Sequence, residues 1–126
     1  MTDTERLTFK DMCSRFDVTA RTLRYYEYIE LLHPEKEGRS RFYGPREIAR
    51  MSLILKGRRF GLSLEEIRQW LVMYDKEDNT AQTRAWVELA NKQLGVLGKQ
   101  LEELTATVEE LRALRDAAVK ELEGEA

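Results

Sequence analysis

Two short stretches of the chain combine cations with tyrosine, Arg21, Arg24 and Tyr25, then Arg39, Arg41 and Tyr43, and a third of cations alone, Lys56, Arg58 and Arg59, follows after a gap of a dozen residues. A guanidinium presents a planar fork of donors that matches a phosphate or a guanine edge, and a phenol hydroxyl adds a donor of its own. Residues of these types, repeated along one chain, suit the binding of a polyanion. Between positions 36 and 59, eight Lys/Arg face only Glu37 and Glu47, a net charge of +6. The whole chain nevertheless carries −2, and dedicated nucleic-acid domains usually lie above about pI 9. The average hides a division: residues 1–74 sum to +3 and residues 75–126 to −5. A basic unit that touches a polyanion, followed by an acidic unit with another task, would produce this asymmetry. On charge alone, the alternative that these cations are merely solvated helix surface stays open.

Residues able to do covalent chemistry are scarce. The single histidine, His33, precedes Pro34 and has no second ligand near it, so a role in the turn or against the backbone of a polyanion is expected of it. The single cysteine, Cys13, cannot form an internal disulfide and is a poor start for a thiolate metal site. It falls on the apolar face of a helix, where a buried, inert thiol is expected. There is no Gly-rich phosphate loop and no Ser/His/Asp set that spacing could assemble. Neither enzymatic activity, nor a cofactor, nor a metal is expected. With 126 residues, the chain accommodates one compact unit, or a small unit plus an extended element. Hydrophobic residues at 42% and charged residues at 35% exclude both a disordered chain and a membrane protein. No apolar run approaches the roughly 18 residues of a membrane span and no leader opens the sequence, so a cytoplasmic location is the expectation.

The elements that must position the cations can be read from caps and periodicity. Thr8, with Asp11 three residues on, opens a short helix carrying Phe9, Met12, Cys13 and Phe16, which Asp17-Val18 interrupts. Thr19 caps a second helix to about Tyr28 with Leu23 and Tyr26 on its inner face, and the two read as a helix-turn-helix. The stretch from His33 to Tyr43 suits a small β-hairpin. Pro45 starts a third helix striped by Ile48, Met51, Ile54 and Leu55, which Gly61 ends. Ser63-Leu64-Glu65-Glu66 is a full capping box, with Leu62 and Ile67 placed as a hydrophobic staple, for a fourth helix to about Tyr74.

From Thr83 the pattern changes to a seven-residue repeat. Val87, Leu94, Leu101, Val108, Arg115 and Leu122 occupy one seam position; Ala90, Leu97, Leu104, Leu111 and Ala118 occupy the other. Such a seam, sustained over more than four heptads, predicts a coiled-coil helix of about 40 residues, roughly 60 Å long. A helix of this kind needs a partner, most economically a second copy of itself. Gly95 and Gly98 weaken it by up to about 1 kcal/mol each relative to Ala, which close approach of another backbone would explain. The domain plan is therefore 1–74 as a basic unit that touches a polyanion, 75–82 as a linker and 83–126 as a dimerisation helix.

Taken in order, Thr19-Ala20-Arg21-Thr22-Leu23-Arg24-Tyr25-Tyr26-Glu27, Leu31-Leu32 with Pro34, Arg41-Phe42-Tyr43, and the run Arg58-Arg59-Phe60-Gly61-Leu62-Ser63-Leu64-Glu65-Glu66-Ile67 resemble the MerR family of bacterial transcription regulators. The stretch from Leu53 to Gly61 and the Tyr74-Asp75 ending look most like regulators of branched-chain amino-acid or fatty-acid catabolism. The resemblance implies a mainly α fold: a winged helix-turn-helix unit with a small hairpin wing, then a long helix that forms an antiparallel coiled-coil dimer. It also implies a homodimer on a palindromic element of double-stranded promoter DNA, a distorted spacer, and RNA polymerase as a partner through the shared promoter.

On this resemblance, Thr19, Arg21, Thr22 and Arg24 sit at the major groove and Tyr25 donates to phosphate, while Tyr26 packs inward. Arg39 and Arg41 belong to the wing and reach phosphate or the minor groove. Tyr43 either contacts phosphate or anchors the wing. Arg58 matches the phosphate contact of a second wing, assisted by Lys56 and Arg59. Val87, Leu94, Leu97, Leu101, Leu104, Val108 and Leu111 form the dimer seam. Metal-sensing members carry a cysteine near the start of the dimerisation helix; Thr80, Ala81 and Gln82 stand there instead, which disfavours metal sensing. Trp70, Tyr74 and Trp86 could line a small apolar effector pocket, against plain packing as the alternative. An adaptor that uses the coil for hetero-assembly, with no specific DNA target, is the competing function.

Overall fold

The computed structural model describes residues 5–75 and 80–125, and of Tyr74 the backbone alone. Its elements are β1 (Leu7–Thr8), α1 (Phe9–Phe16), α2 (Ala20–Tyr28), β2 (Glu35–Glu37), β3 (Ser40–Tyr43), α3 (Pro45–Phe60), α4 (Leu64–Asp75) and α5 (Thr80–Gly124). Helices α1, α2 and α4 each start where a side chain satisfies free N–H groups. Thr8 Oγ1 accepts from the Asp11 N–H at 3.1 Å, and Thr19 Oγ1 accepts from the Thr22 N–H at 3.1 Å. Ser63 and Glu66 cap α4 reciprocally, at 3.1 and 2.8 Å, with Leu62 and Ile67 both buried beside them. Pro45 takes the first turn of α3. Gly61 ends it at φ +87, the left-handed conformation that glycine adopts without a Cβ clash.

The wing is a three-stranded antiparallel sheet in the order β1-β3-β2, one strand more than the hairpin the sequence suggested. Leu7 pairs with Tyr43 and Thr8 with Phe42, so the entry to α1 is stitched to the wing. Glu37 faces Ser40 across the two-residue loop Gly38-Arg39, and Gly38 at φ +62 supplies the positive φ that such a tight turn requires at its first position.

The core lies wholly within the first unit. Met12 of α1, Leu23 and Tyr26 of α2, Tyr43 of β3, Met51 and Ile54 of α3, and Ile67 and Leu71 of α4 are all buried. Gly57 lets α3 and α4 close up: a Cβ there would stand 2.7 Å from Ile67 Cγ1. Glu47 is the one buried charged residue among those described. It is held by the His33 N–H at 3.1 Å and by Arg46 at 3.1 Å. Arg46 and Arg50 also pair with Asp75 at 3.1 and 2.9 Å, and Arg50 donates to the Leu31 carbonyl at 3.1 Å. The loop after α2, the start of α3 and the end of α4 are thus tied together.

The chain divides into two compact units, 1–83 and 84–126. Of the expected 75–82 linker, residues 76–79 lie outside the described residues. Asp75 closes α4, and Thr80, Ala81 and Gln82 are already helical, since Ala and Gln favour the helix in which the coil pattern continues. At 45 residues, α5 exceeds the 40 anticipated. None of its residues is buried, and Gly95 and Gly98 face open space within the chain. Among the described residues, no helix is long and apolar enough to cross a membrane.

Candidate nucleic-acid interface

The Thr19 cap sets the direction of α2, and with it the outward side chains Arg21, Arg24 and Tyr25. Leu23 and Tyr26, buried at 0% and 6% exposure, hold the opposite face on the core. Tyr25 is half exposed, with its ring 6.4 Å from that of Tyr26. Arg21, Thr22, Arg24 and Tyr25 line a surface concavity of about 550 Å³ together with Arg58 of α3, Tyr28 and Leu64. The structure therefore brings Arg21, Thr22 and Arg24, three of the four residues expected at the major groove, together with the phosphate contact from the end of α3, while Thr19 does not line the concavity. Arg21, Arg24 and Arg58 have no ion pair among the described residues, so their charge is available to an anionic ligand. Lys56 and Arg59 are exposed on α3 and do not line this concavity.

A second hollow of about 310 Å³ lies at the wing, lined by Arg39, Ser40, Arg41 and Phe42 with Thr8, Phe9 and Lys10. Arg39, at the hairpin tip, is exposed. The Phe9 ring links the two hollows: the Arg24 guanidinium sits 5.4 Å from its centroid and that of Arg41 sits 5.8 Å away.

Comparison with known proteins gives this geometry a family. The family model described as MerR HTH family regulatory protein matches residues 7–73, and that described as MerR, DNA binding matches residues 48–114. The chain belongs to the MerR family. It is 33% identical over 93 residues to the HTH-type transcriptional regulator HmrR of Rhizobium leguminosarum bv. viciae, spanning 72% of this chain and 70% of that protein. A MerR-family transcriptional regulator from Bacillus cereus superposes with a TM-score of 0.65 at 27% identity, covering 83% of this chain and 76% of the other. HiNmlR, a MerR-family regulator lacking the sensor domain and solved bound to promoter DNA, shares the fold with a TM-score of 0.66. Its identity is 21%, over 83% of this chain and 80% of that one. This MerR-family chain is a DNA-binding transcription regulator, and the adaptor reading is not favoured.

Two expected DNA contacts turn inward in this MerR structure. Tyr43 is fully buried and donates its hydroxyl to Glu27 Oε2, so it anchors the wing and cannot touch a phosphate. Its pairing with Leu7 places it on the core side of the sheet, which the alternation of a strand made one of two outcomes. Arg41 Nε pairs with Glu27 Oε1 at 3.0 Å, leaving the guanidinium half-buried over Phe9 instead of reaching freely outward. Thr19 is occupied by its cap and also donates to Thr22 Oγ1 at 3.0 Å, a structural task.

Glu27, which the sequence offered only as part of a motif, receives both wing residues. Burial pushes its carboxyl pKa up, against the attraction of Arg41, Lys36 and Arg24. Burial also raises the Cys13 thiol, opposed by Arg24; that residue is half-buried, less enclosed than expected. His33 is exposed, with its backbone engaged by Glu47. Tyr28 at 83% exposure and Lys10 are further side chains in the two hollows that sequence reasoning did not single out. Their signal was weak, since an exposed helix-end aromatic or a lone Lys has no distinguishing spacing.

Of the three residues expected at an effector pocket, Trp70 is buried in the first unit with its ring 6.3 Å from Phe60. Trp86 is half-buried on α5, and the Tyr74 side chain lies outside the described residues. Among the described residues, no three His, Cys, Asp or Glu side chains gather as a metal site. On α5 the seam residues Val87, Leu94, Leu97, Leu101, Leu104, Val108 and Leu111 are all exposed within the single chain, at 36% to 67%.

Proposed function

We propose that two copies of this chain associate through α5 and bind, as a homodimer, a palindromic element of double-stranded promoter DNA. α2 enters the major groove, with Arg21, Thr22 and Arg24 near base edges, while Tyr25, Arg39 and Arg58 hold phosphates. Lys56 and Arg59 lie on the same helix as Arg58 and add positive potential to the approach. The observation that carries this reading is the concavity of about 550 Å³, where three guanidinium groups without ion pairs among the described residues stand beside the outer face of a capped helix. Two heads joined through one seam would meet the two half-sites of a palindrome related by the same twofold axis. Bending or untwisting of the spacer between promoter elements is the accompanying proposal. Its energy comes from the contacts that the distorted duplex permits, and its consequence falls on RNA polymerase, which must engage both elements.

Footprinting on a duplex recovered from a random-sequence pool should protect two symmetric half-sites, and affinity should fall steeply as salt rises. Arg58→Ala should weaken binding uniformly across sequences and reduce the salt slope by about one, whereas Arg24→Ala should cost about 1–3 kcal/mol and relax preference at particular bases. Salt-insensitive binding, or protection of a single asymmetric site, would overturn the proposal.

A further inference from the structure

The hairpin of the wing, residues 35–43, carries the exposed Arg39 at its tip, and β1 together with Arg6, which pairs with Glu35 and Glu37 at 3.7 and 3.0 Å, ties it to the entry to α1. Its tie to α2 is Glu27. This carboxylate belongs to α2, one turn beyond Arg24, and its side chain is 11% exposed. One oxygen accepts from the fully buried Tyr43 hydroxyl and the other pairs with Arg41 Nε at 3.0 Å, both partners lying on β3. The Arg41 and Arg24 guanidinium groups then share the Phe9 ring.

We propose that Glu27 is a positioning residue that locks the wing to α2, so that Arg39 and the α2 cations engage one duplex as a rigid set. The inference rests on the DNA-binding reading above. A carboxylate suits the task because its two oxygens point in different directions and share one charge, which lets one α2 side chain accept from a hydroxyl and pair electrostatically with a guanidinium of the same strand. Fold stability is a poor explanation for its presence. Burial works against its charge more strongly than Arg41 and its other cationic neighbours favour it, and the Arg41 side chain, 36% exposed, keeps access to water when the carboxylate is neutralised, so an isosteric neutral side chain should leave the head folded. Its contribution is to geometry.

The test is Glu27→Gln in the full-length protein, with a duplex selected from a random pool by the wild-type chain. The expected result is a loss of affinity of about tenfold and a salt slope shallower by about one phosphate contact per head. A loss of folded protein would lower apparent affinity equally at every salt concentration and leave the slope unchanged, so the slope separates positioning from general destabilisation. A double-mutant cycle adds a second readout. Arg39→Ala should cost about tenfold in the wild-type background and less than about twofold alongside Glu27→Gln, because the displaced wing has already lost that contact. Should Glu27→Gln fail to fold by circular dichroism, Tyr43→Phe, which deletes only the hydroxyl, serves in its place with the same pair of readouts. Equal costs of Arg39→Ala in both backgrounds, or an unchanged slope, would overturn the proposal. If the wild-type chain selects no duplex at all, the DNA-binding reading has failed first.

Discussion

The head, residues 5–75, and the helix α5 treat their apolar residues in opposite ways. The head closes a core around Leu23, Tyr43, Met51, Ile54 and Ile67, each at 0% exposure. α5 buries nothing along 45 residues, although its seam is as aliphatic as that core. A Leu or Val moved fully out of water contributes about 1.5–3 kcal/mol, so the seven seam residues from Val87 to Leu111 represent a large stabilisation that the single chain leaves unused. The contrast separates two meanings of a hydrophobic pattern. In α1 to α4 the apolar residues recur irregularly and match surfaces of neighbouring elements in the same chain. In α5 they recur every seven residues and match another helix of the same kind.

The strongest way to break this contrast is to place a charge in the seam. Leu101→Lys should raise the dissociation constant of self-association by at least a factor of about a hundred, or more than ~2.7 kcal/mol, because a symmetric dimer takes two unpaired ammonium groups into one interface. Analytical ultracentrifugation reads the mass, and melting of the head should be unchanged. If the variant keeps the mass of two chains, the seam is drawn on the wrong residues. The reciprocal experiment targets the head. Gly57→Val forces a side chain into a gap where a Cβ alone would stand 2.7 Å from Ile67 Cγ1 and 3.0 Å from its Cδ1. Overpacking of this kind costs about 1–3 kcal/mol, and each kcal/mol lowers the midpoint of a domain this size by about 4–8 °C. Calorimetry should show that loss in the head with self-association through α5 preserved. Equal losses in both would mean that the two regions fold as one cooperative block.

The features legible in the sequence are those whose two halves lie within a few residues of each other. Thr8 with Asp11, Thr19 with Thr22, Ser63 with Glu66 and the Gly61 stop are local agreements between side chain and backbone, and each is present as read. The heptads of α5 are similarly local. What escaped needed partners far along the chain. β1 is two residues long and exists only because Tyr43 and Phe42 are there to pair with it. The count of cations from 36 to 59 overstated the free positive charge, because Arg41, Arg46 and Arg50 are held by Glu27, Glu47 and Asp75. Asp75 is 25 residues from Arg50, a distance across which no periodicity argues. Arg39, Arg58 and Arg59, together with Lys36 and Lys56, are left as the exposed cations of that run with no ion pair among the described residues. Tyr43 illustrates the remaining ambiguity: a tyrosine at a strand end faces either solvent or core, and a shift of one residue in register decides which.

The finest test of the contrast concerns proton binding by Glu27, which belongs to the head alone. Its carboxyl pKa is raised above the ordinary 4.5 by burial, with Arg41, Lys36 and Arg24 opposing. The folded head therefore holds this proton at pH values where the unfolded chain has released it. The stabilisation linked to that proton is complete below about 4.5, the unfolded value, and disappears as pH rises through the folded one. Other carboxylates titrate over the same range, so the informative quantity is the difference in melting temperature between wild type and Glu27→Gln, which cancels them. That difference should shift in favour of Gln as pH is raised from below 4.5 toward neutrality, and should be flat once the folded carboxyl is fully ionised. A shift in the opposite direction would mean that the pair with Arg41 outweighs the burial of the carboxylate, making Glu27 a source of stability for the head and not only of geometry for its wing. The self-association of α5, measured on the same samples, should give the same wild-type minus variant difference at every pH, because Glu27 lies outside the seam.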